Sequence, residues 1–341
     1  MTDATPADQH STGTPRAGRA DRVLFYPPSD ARESTPYRQA HLEPARVASD
    51  VGGSVLTNDA DAPYGDGTAT AVVVLFPVPV DQMEALLAAN PSVSWVQLPF
   101  AGIERYVPLI RARRDITWTS AKGCYGPPVA EHALMLTLAL LRNLPERLRA
   151  TSWGAGSGRT LNGLHAVVVG GGGIAREYLR LLKTWDTTVT VVRRTADEVP
   201  GADRTVTQDR LDEVLPEADV VMLAAAATDQ TRGIIGRRQL ELMDSAAVLV
   251  NIARGTLVDT DALVEALSAG AIHGAGLDVT DPEPLPDGHP LWTEPRCIVT
   301  PHTADTPEMC IPLINARTQR NLAARAQGGE LEGQVDPESG Y

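Results

Sequence analysis

Between Leu164 and Ile174 the chain reads LHAVVVGGGGI, an apolar β-branched run that stops at four consecutive glycines. Val167, Val168 and Val169 favour a buried strand. Gly170 to Gly173 then turn the chain with no Cβ to obstruct an approaching backbone or ligand. From Ala175 to Trp185 the apolar residues Tyr178, Leu179, Leu181, Leu182 and Trp185 recur at helical spacing. In this setting Gly170, Gly172 and Ala175 fit G-x-G-x-x-G/A, a dinucleotide-binding fingerprint. The third small residue lets helix pack on strand, and the free N–H groups of the helix start would receive a pyrophosphate. Without its flanks the same turn is a plain strand-to-helix link; the flanks favour the binding reading.

Short apolar runs recur on both sides of this turn. Arg22 to Tyr26, Val72 to Phe76 and Trp95 to Leu98 read as strands, with a helix signal at Asp81 to Ala89. After Leu164, strands are expected at Val167–Val169, Val189–Val192, Val220–Leu223, Val248–Asn251, Gly274–Asp278 and Cys297–Thr300. Strands alternating with helices imply parallel α/β sheets, and six strands behind one glycine turn make a complete dinucleotide-binding sheet. Pro128 to Leu141 predicts a strongly apolar helix, expected between domains or at a subunit contact. Pro307 to Ala326 predicts a last helix with no sheet of its own, expected to return to the N-terminal domain.

A chain of 341 residues has room for two cores. Its formal net charge of −13 argues against nucleic acid as a partner. Cys124, Cys297 and Cys310 have neither metal-type nor CxxC spacing, so no metal is expected and a reducing, cytoplasmic compartment suits them. No apolar stretch is long enough to span a bilayer. The polar segment 1–20 reads as a disordered tail and 328–341 as a flexible one.

Three further segments end or follow predicted strands: Val250 to Asp259 (VNIARGTLVD), Gly276 to Pro284 (GLDVTDPEP) and Thr300 to Thr303 (TPHT). Ligands of open α/β sheets bind at the carboxyl ends of strands, where Arg254, Glu283 and His302 could converge. His132, inside an apolar helix, reads as structural.

In these segments the chain resembles the D-isomer-specific 2-hydroxyacid dehydrogenases, over roughly residues 95 to 320. The resemblance rests on Val129-Ala130-Glu131-His132-Ala133-Leu134, Gly170 to Ile174, Asn251 to Asp259, Glu283-Pro284 and Pro301-His302. It implies two doubly wound parallel-sheet domains: a Rossmann-type domain (125–302) inserted in a flavodoxin-like substrate domain (21–124 and 303–327). It also implies interconversion of a 2-oxo acid and a D-2-hydroxy acid, in the manner of glyoxylate or hydroxypyruvate reductases. His302 would be the acid/base, Glu283 its partner and Arg254 the substrate clamp. Histidine suits proton transfer near neutral pH, a carboxylate favours its imidazolium, and arginine offers a permanent charge in a planar fork. The amides of Ala101 and Gly102 would take the substrate carboxylate. Gly170, Gly172, Gly173, Ile174, Ala226, Ile252 and Asp278 would hold the cofactor, with Asp278 on the nicotinamide side. A homodimer is expected, with small-molecule substrates and neither nucleic acid nor membrane as partners.

The chain departs from the pattern where a ribose-binding acid is expected. There Thr188 to Val192 runs into Arg193, Arg194 and Thr195. Arginine cannot accept from a ribose hydroxyl but pairs with a 2′-phosphate, so NADP(H) is favoured and NAD(H) possible. Ala224 to Ala227 replaces a stretch that often holds proline, Glu104 stands where aspartate is common, and Thr280 where an aromatic is common. Two alternatives stay open: a non-catalytic dinucleotide-sensing regulator on the same fold, and a formate dehydrogenase-like enzyme. The latter pairs its histidine with glutamine, which the acidic Glu283 disfavours.

Overall fold

The computed structural model describes residues 20–338, so the expected disordered tail lies outside the described residues save for Ala20. The chain forms two compact units, one holding the residues up to Ala121 together with those from Ile311 onward, the other Lys122–Cys310. Both are α/β, and every strand pairing within the two sheets is parallel.

The first unit contains β1 (Arg22–Tyr26), β2 (Ser54–Leu56), β3 (Ala71–Val74), β4 (Trp95–Gln97) and β5 (Thr117–Thr119), in the flavodoxin-like order β2-β1-β3-β4-β5. Alternate residues of one strand feed opposite cores. Val23 and Phe25 of β1 join one cluster with Trp95, while Leu24 and Tyr26 join the other with Trp118. A sheet covered on both faces needs apolar residues at nearly every position, which these strands supply.

The helix Pro307–Ala326 closes this unit through buried polar bonds. Asn321 Nδ2 donates to Gln97 Oε1 at 2.9 Å. Thr119 Oγ1 donates to the same oxygen at 2.9 Å and accepts from Trp95 Nε1 at 2.9 Å. The flexible tail expected from 328 is corrected here. Val335 is buried in the first unit's core, its N–H donates to Trp118 O, and Gln334 bridges Thr119 antiparallel. The polar, glycine-rich composition of this segment hides one apolar plug and a run of backbone bonds.

The second unit contains β6 (His165–Val169), β7 (Thr188–Arg193), β8 (Arg204–Thr207), β9 (Val220–Leu223), β10 (Val248–Asn251), β11 (Gly274–Leu277) and β12 (Cys297–Val299). Their order, β12-β11-β10-β9-β6-β7-β8, is doubly wound, with the direction of winding reversing between β6 and β9. The sheet therefore has seven strands, not the six expected. Half-exposed and bounded by arginine and threonines, β8 has too little apolar character to be read from sequence. The unit also extends past residue 302, because the backbone of Thr303 and Ala304 is bonded to Asp278.

The apolar helix Gly126–Leu141 packs against the sheet and a neighbouring helix of its own unit, while Met135 on it stays exposed. Leu136 and Leu140 lie against Gly276 and Gly274 of β11, where an added Cβ would meet them at 3.0 Å. Thr137 Oγ1 and the Tyr178 hydroxyl share a buried bond of 2.8 Å. No helix among the described residues is long and apolar enough to cross a membrane.

Candidate active site

In the second unit the candidate groups cluster at the carboxyl ends of β6, β7, β9, β10, β11 and β12. At the end of β6, Gly170 has φ +116°, and a Cβ there would stand 2.6 Å from the Ala224 carbonyl oxygen beyond β9. Only glycine meets both demands. Gly173 is confined by Gly123, 2.7 Å from where its Cβ would be. Gly172 faces open space, with nothing within 4 Å of an added Cβ. It precedes the helix Gly173–Leu182, whose start has no side-chain cap. Its first N–H groups lack partners along the helix and suit an anion. Buried Ala175 permits the close approach of helix to sheet.

Arg193 ends β7 and lies along this turn, with Cδ 3.4 Å from the Cβ position of Gly171. Arg176 Nε donates to Gly171 O at 3.3 Å, and Arg194 is exposed. Two arginines therefore border the turn and a third sits beside it. Across the winding reversal, Ala226 O accepts from Thr231 Oγ1 at 2.7 Å, and Ile252 is buried just beyond β10. An elongated anionic ligand fits an open glycine, a bare helix start and flanking guanidinium groups.

Arg254 follows β10 in extended backbone. Asn251 fixes that turn from both sides, its Nδ2 donating to Arg254 O at 2.9 Å and its Oδ1 accepting from Ala253 N at 3.1 Å. Gly255 packs so closely on the next loop that a Cβ would stand 1.9 Å from Thr280 O. The arginine turn and the loop carrying Glu283 are thereby held in register.

Glu283 and His302 meet: His302 Nδ1 donates to Glu283 Oε1 at 2.7 Å, with both side chains more than a third exposed. Their reactive faces remain within reach of solvent or substrate. His302 adopts φ +50°, a conformation uncommon for a residue with a Cβ, and its N–H donates to Asp278 O at 2.8 Å.

Asp278 builds this loop. Only 2% exposed, its carboxylate accepts from Thr300 Oγ1 at 2.6 Å, Thr303 N at 2.9 Å and Ala304 N at 3.1 Å. His132 Nε2 donates to Thr300 Oγ1 at 2.9 Å and lies 3.4 Å from Asp278 Oδ1, which ties the helix Gly126–Leu141 to the same point. Asp278 is thus committed to shaping the His302 loop.

The sequence pattern describing the NAD-binding domain of D-isomer specific 2-hydroxyacid dehydrogenases matches residues 134–304. An uncharacterized protein in the proB 3′ region of Corynebacterium melassecola is 38% identical over 256 residues, 73% of this chain and 84% of that protein. The chain belongs to the D-isomer specific 2-hydroxyacid dehydrogenase family. Among similar solved structures is a D-isomer specific 2-hydroxyacid dehydrogenase from Xanthobacter autotrophicus Py2 in complex with NADPH and MES. It is 25% identical, with a TM-score of 0.76, covering 95% of this chain and 100% of that one. The NAD complex of an enzyme of that description from Lactobacillus delbrueckii ssp. bulgaricus shares the fold at 24% identity and a TM-score of 0.75, covering 92% and 100%.

The dehydrogenase fold brings Gly170, Gly172, Gly173, Ile174, Arg193, Arg194, Ala226, Ile252, Arg254, Asp278, Glu283 and His302 to one unit of this chain. Ala101 and Gly102 belong to the other unit, in the loop after β4. That loop is fixed by the stacked rings of Phe100 and Tyr106, 5.4 Å apart. Sequence reasoning missed Asn251 as the brace of the arginine turn, although it heads the quoted segment.

Proposed function

We propose that this dehydrogenase-family protein is an enzyme that interconverts a 2-oxo acid and a D-2-hydroxy acid, with NADP(H) as the favoured nicotinamide cofactor. The 2.7 Å pairing of Glu283 with His302 beside the braced Arg254 turn carries this reading. When bound, the cofactor supplies or accepts the hydride at C2 of the acid. Gly170, Gly172, Gly173 and Ile174 would hold its pyrophosphate, with Ala226, Ile252 and Asp278 lining or shaping the rest of its site. The Ala101–Gly102 amides would receive the substrate carboxylate. Arg254 would orient the substrate and polarise its carbonyl. His302 would deliver a proton to the carbonyl oxygen from Nε2, because Nδ1 is engaged by Glu283. In the oxidative direction the same nitrogen would take that proton back. Glu283 fixes the orientation of the ring through its bond to Nδ1.

Arg193 and Arg194, with Arg176 beside the same turn, support NADP(H), and a relative solved with NADPH is consistent with it. The test is oxidation of NADPH and NADH with glyoxylate, hydroxypyruvate, pyruvate and bulkier 2-oxo acids, with chiral analysis of the product. We expect faster turnover with NADPH and a D-configured product wherever C2 is a stereocentre. Arg193→Asp should flatten or reverse the cofactor preference. A clear preference of the unmodified enzyme for NADH would sink the cofactor assignment, and absence of turnover with every acid would sink the enzymatic one.

The protein is also proposed to be a cytoplasmic homodimer. Its three cysteines, all buried and none in a disulfide, suit a reducing compartment. Met135, Leu144, Leu148 and Trp153 expose apolar surface along one stretch of the second unit, and Trp153 is 98% exposed. A second copy would cover it.

A further inference from the structure

His132 sits within the apolar helix Gly126–Leu141 and has no part in the proposed proton transfer. Its immediate partners are nevertheless polar. The side chain is 14% exposed, with Nε2 2.9 Å from Thr300 Oγ1 and 3.4 Å from Asp278 Oδ1. The direction of these bonds follows from the donors available. Asp278, as a carboxylate, only accepts, so Thr300 commits its single hydroxyl proton to Asp278 Oδ1 at 2.6 Å. The Thr300 oxygen is left to accept, and His132 must present an Nε2–H to it. The result is a one-way chain from His132 through Thr300 to Asp278.

This chain ends where the backbone of His302 is set. The Asp278 carboxylate takes the N–H groups of Thr303 and Ala304. Its carbonyl takes the N–H of His302, which also reaches Thr300 O at 2.9 Å. His302 is held there at φ +50°, and a residue with a Cβ keeps such a conformation only where its surroundings over-determine it. A Thr300 hydroxyl with one partner could still rotate. Accepting from His132 while donating to Asp278 leaves it one orientation.

The far contacts of the helix show what His132 is anchored to. An added Cβ at Gly126 would stand 3.2 Å from Gly173 O and 3.1 Å from Glu177 Cγ, so the helix starts against the glycine turn. Further along, Thr137 Oγ1 and the Tyr178 hydroxyl join it to the helix Gly173–Leu182. One rigid element therefore touches the turn proposed to hold the dinucleotide and, through His132, grips the His302 loop.

We propose that His132 is a positioning residue for the reaction. By fixing Thr300, and through it Asp278, it places the His302 loop relative to the dinucleotide turn. Its role is to donate one hydrogen bond, not to exchange a proton with substrate. This rests on the reading of His302 as the proton donor, but one arm of its test is independent of turnover.

The test compares variants of the full chain that delete a link with variants that restore it. His132→Leu removes the donor at similar volume, whereas His132→Gln carries an amide N–H near the reach of Nε2. Thr300→Val cuts the same chain one bond along with little change of shape, and Thr300→Ser restores the hydroxyl. In both deletions kcat for 2-oxo acid reduction should fall about tenfold or more, the scale of a misplaced catalytic group. NADPH affinity, read by fluorescence, and the KM of the oxo acid should change little, since ground-state binding is untouched. The double variant should be no worse than the poorer single one, because both cut one chain. In hydrogen exchange read by mass spectrometry, the amides of residues 302–304 should exchange about tenfold faster, the scale of one lost hydrogen bond, with β6 to β10 unchanged. His132→Gln and Thr300→Ser should recover most of both readouts. Exchange at 302–304 unmoved in both deletions overturns the proposal, as does near-native turnover in both. So do losses that the restoring variants fail to reverse, losses that add in the double variant, and an acceleration spread evenly over the second unit, which marks a packing defect. If the parent reduces no 2-oxo acid, the functional reading falls, and exchange at 302–304 alone decides whether His132 places the loop.

Discussion

His302 and Glu283 illustrate how much depends on two atoms 2.7 Å apart. With Nδ1 committed to a carboxylate, Nε2 is the only ring nitrogen free to exchange a proton with substrate. His302→Ala should lower turnover by about a hundredfold or more, the usual scale for loss of general acid catalysis. Cofactor binding, read by fluorescence, should survive, because the glycine turn does not depend on this side chain. Near-native turnover in that variant would show that the proton comes from elsewhere. Glu283→Gln keeps an acceptor for Nδ1 and should lower turnover less than His302→Ala, as steady-state reduction of the two variants would show. At this scale the resemblance paired Glu283 with His302, but the sequence did not show what holds that pair in place. Asp278 was expected to face the nicotinamide, and its place in the LDV segment carries no sign that three donors from residues 300–304 would converge on it.

Among the elements, the turn after β6 has the least tolerance. Gly170→Ala must adopt φ +116° and place a methyl group 2.6 Å from the Ala224 oxygen. The expected loss of stability is about 2–4 kcal/mol by denaturant unfolding, with weaker dinucleotide binding in whatever remains folded. A variant as stable as the parent that binds cofactor normally would show that the turn can relax. The turn, its strand and its helix were legible because local propensity and tertiary demand agree there. β8 was not, because Val206 is its one apolar residue and the arginine and threonines around it give no apolar run. β2 and β5, three residues each, were likewise too short for periodicity to register. The helix Gly126–Leu141 was located from sequence, but the residues of its own unit that bury it were not. Apolarity shows that a helix is buried, not which neighbour buries it.

At the scale of the whole molecule, the apolar stretch from Met135 to Trp153 predicts association. Light scattering across micromolar concentrations should give twice the chain mass, and Trp153→Asp should shift the protein toward the monomer. A monomeric mass throughout would refute the homodimer. The connectivity carries a different consequence. Gln97 of β4 and Trp118 of β5 find partners in residues beyond Ile311, at Asn321 and Val335. Those residues are separated from them by the entire second unit. A ribosome delivers the chain in order, so the nascent first sheet must wait, short of its closing helix and edge segment, while the whole of Lys122–Cys310 emerges. The domain that begins first is the one that finishes last.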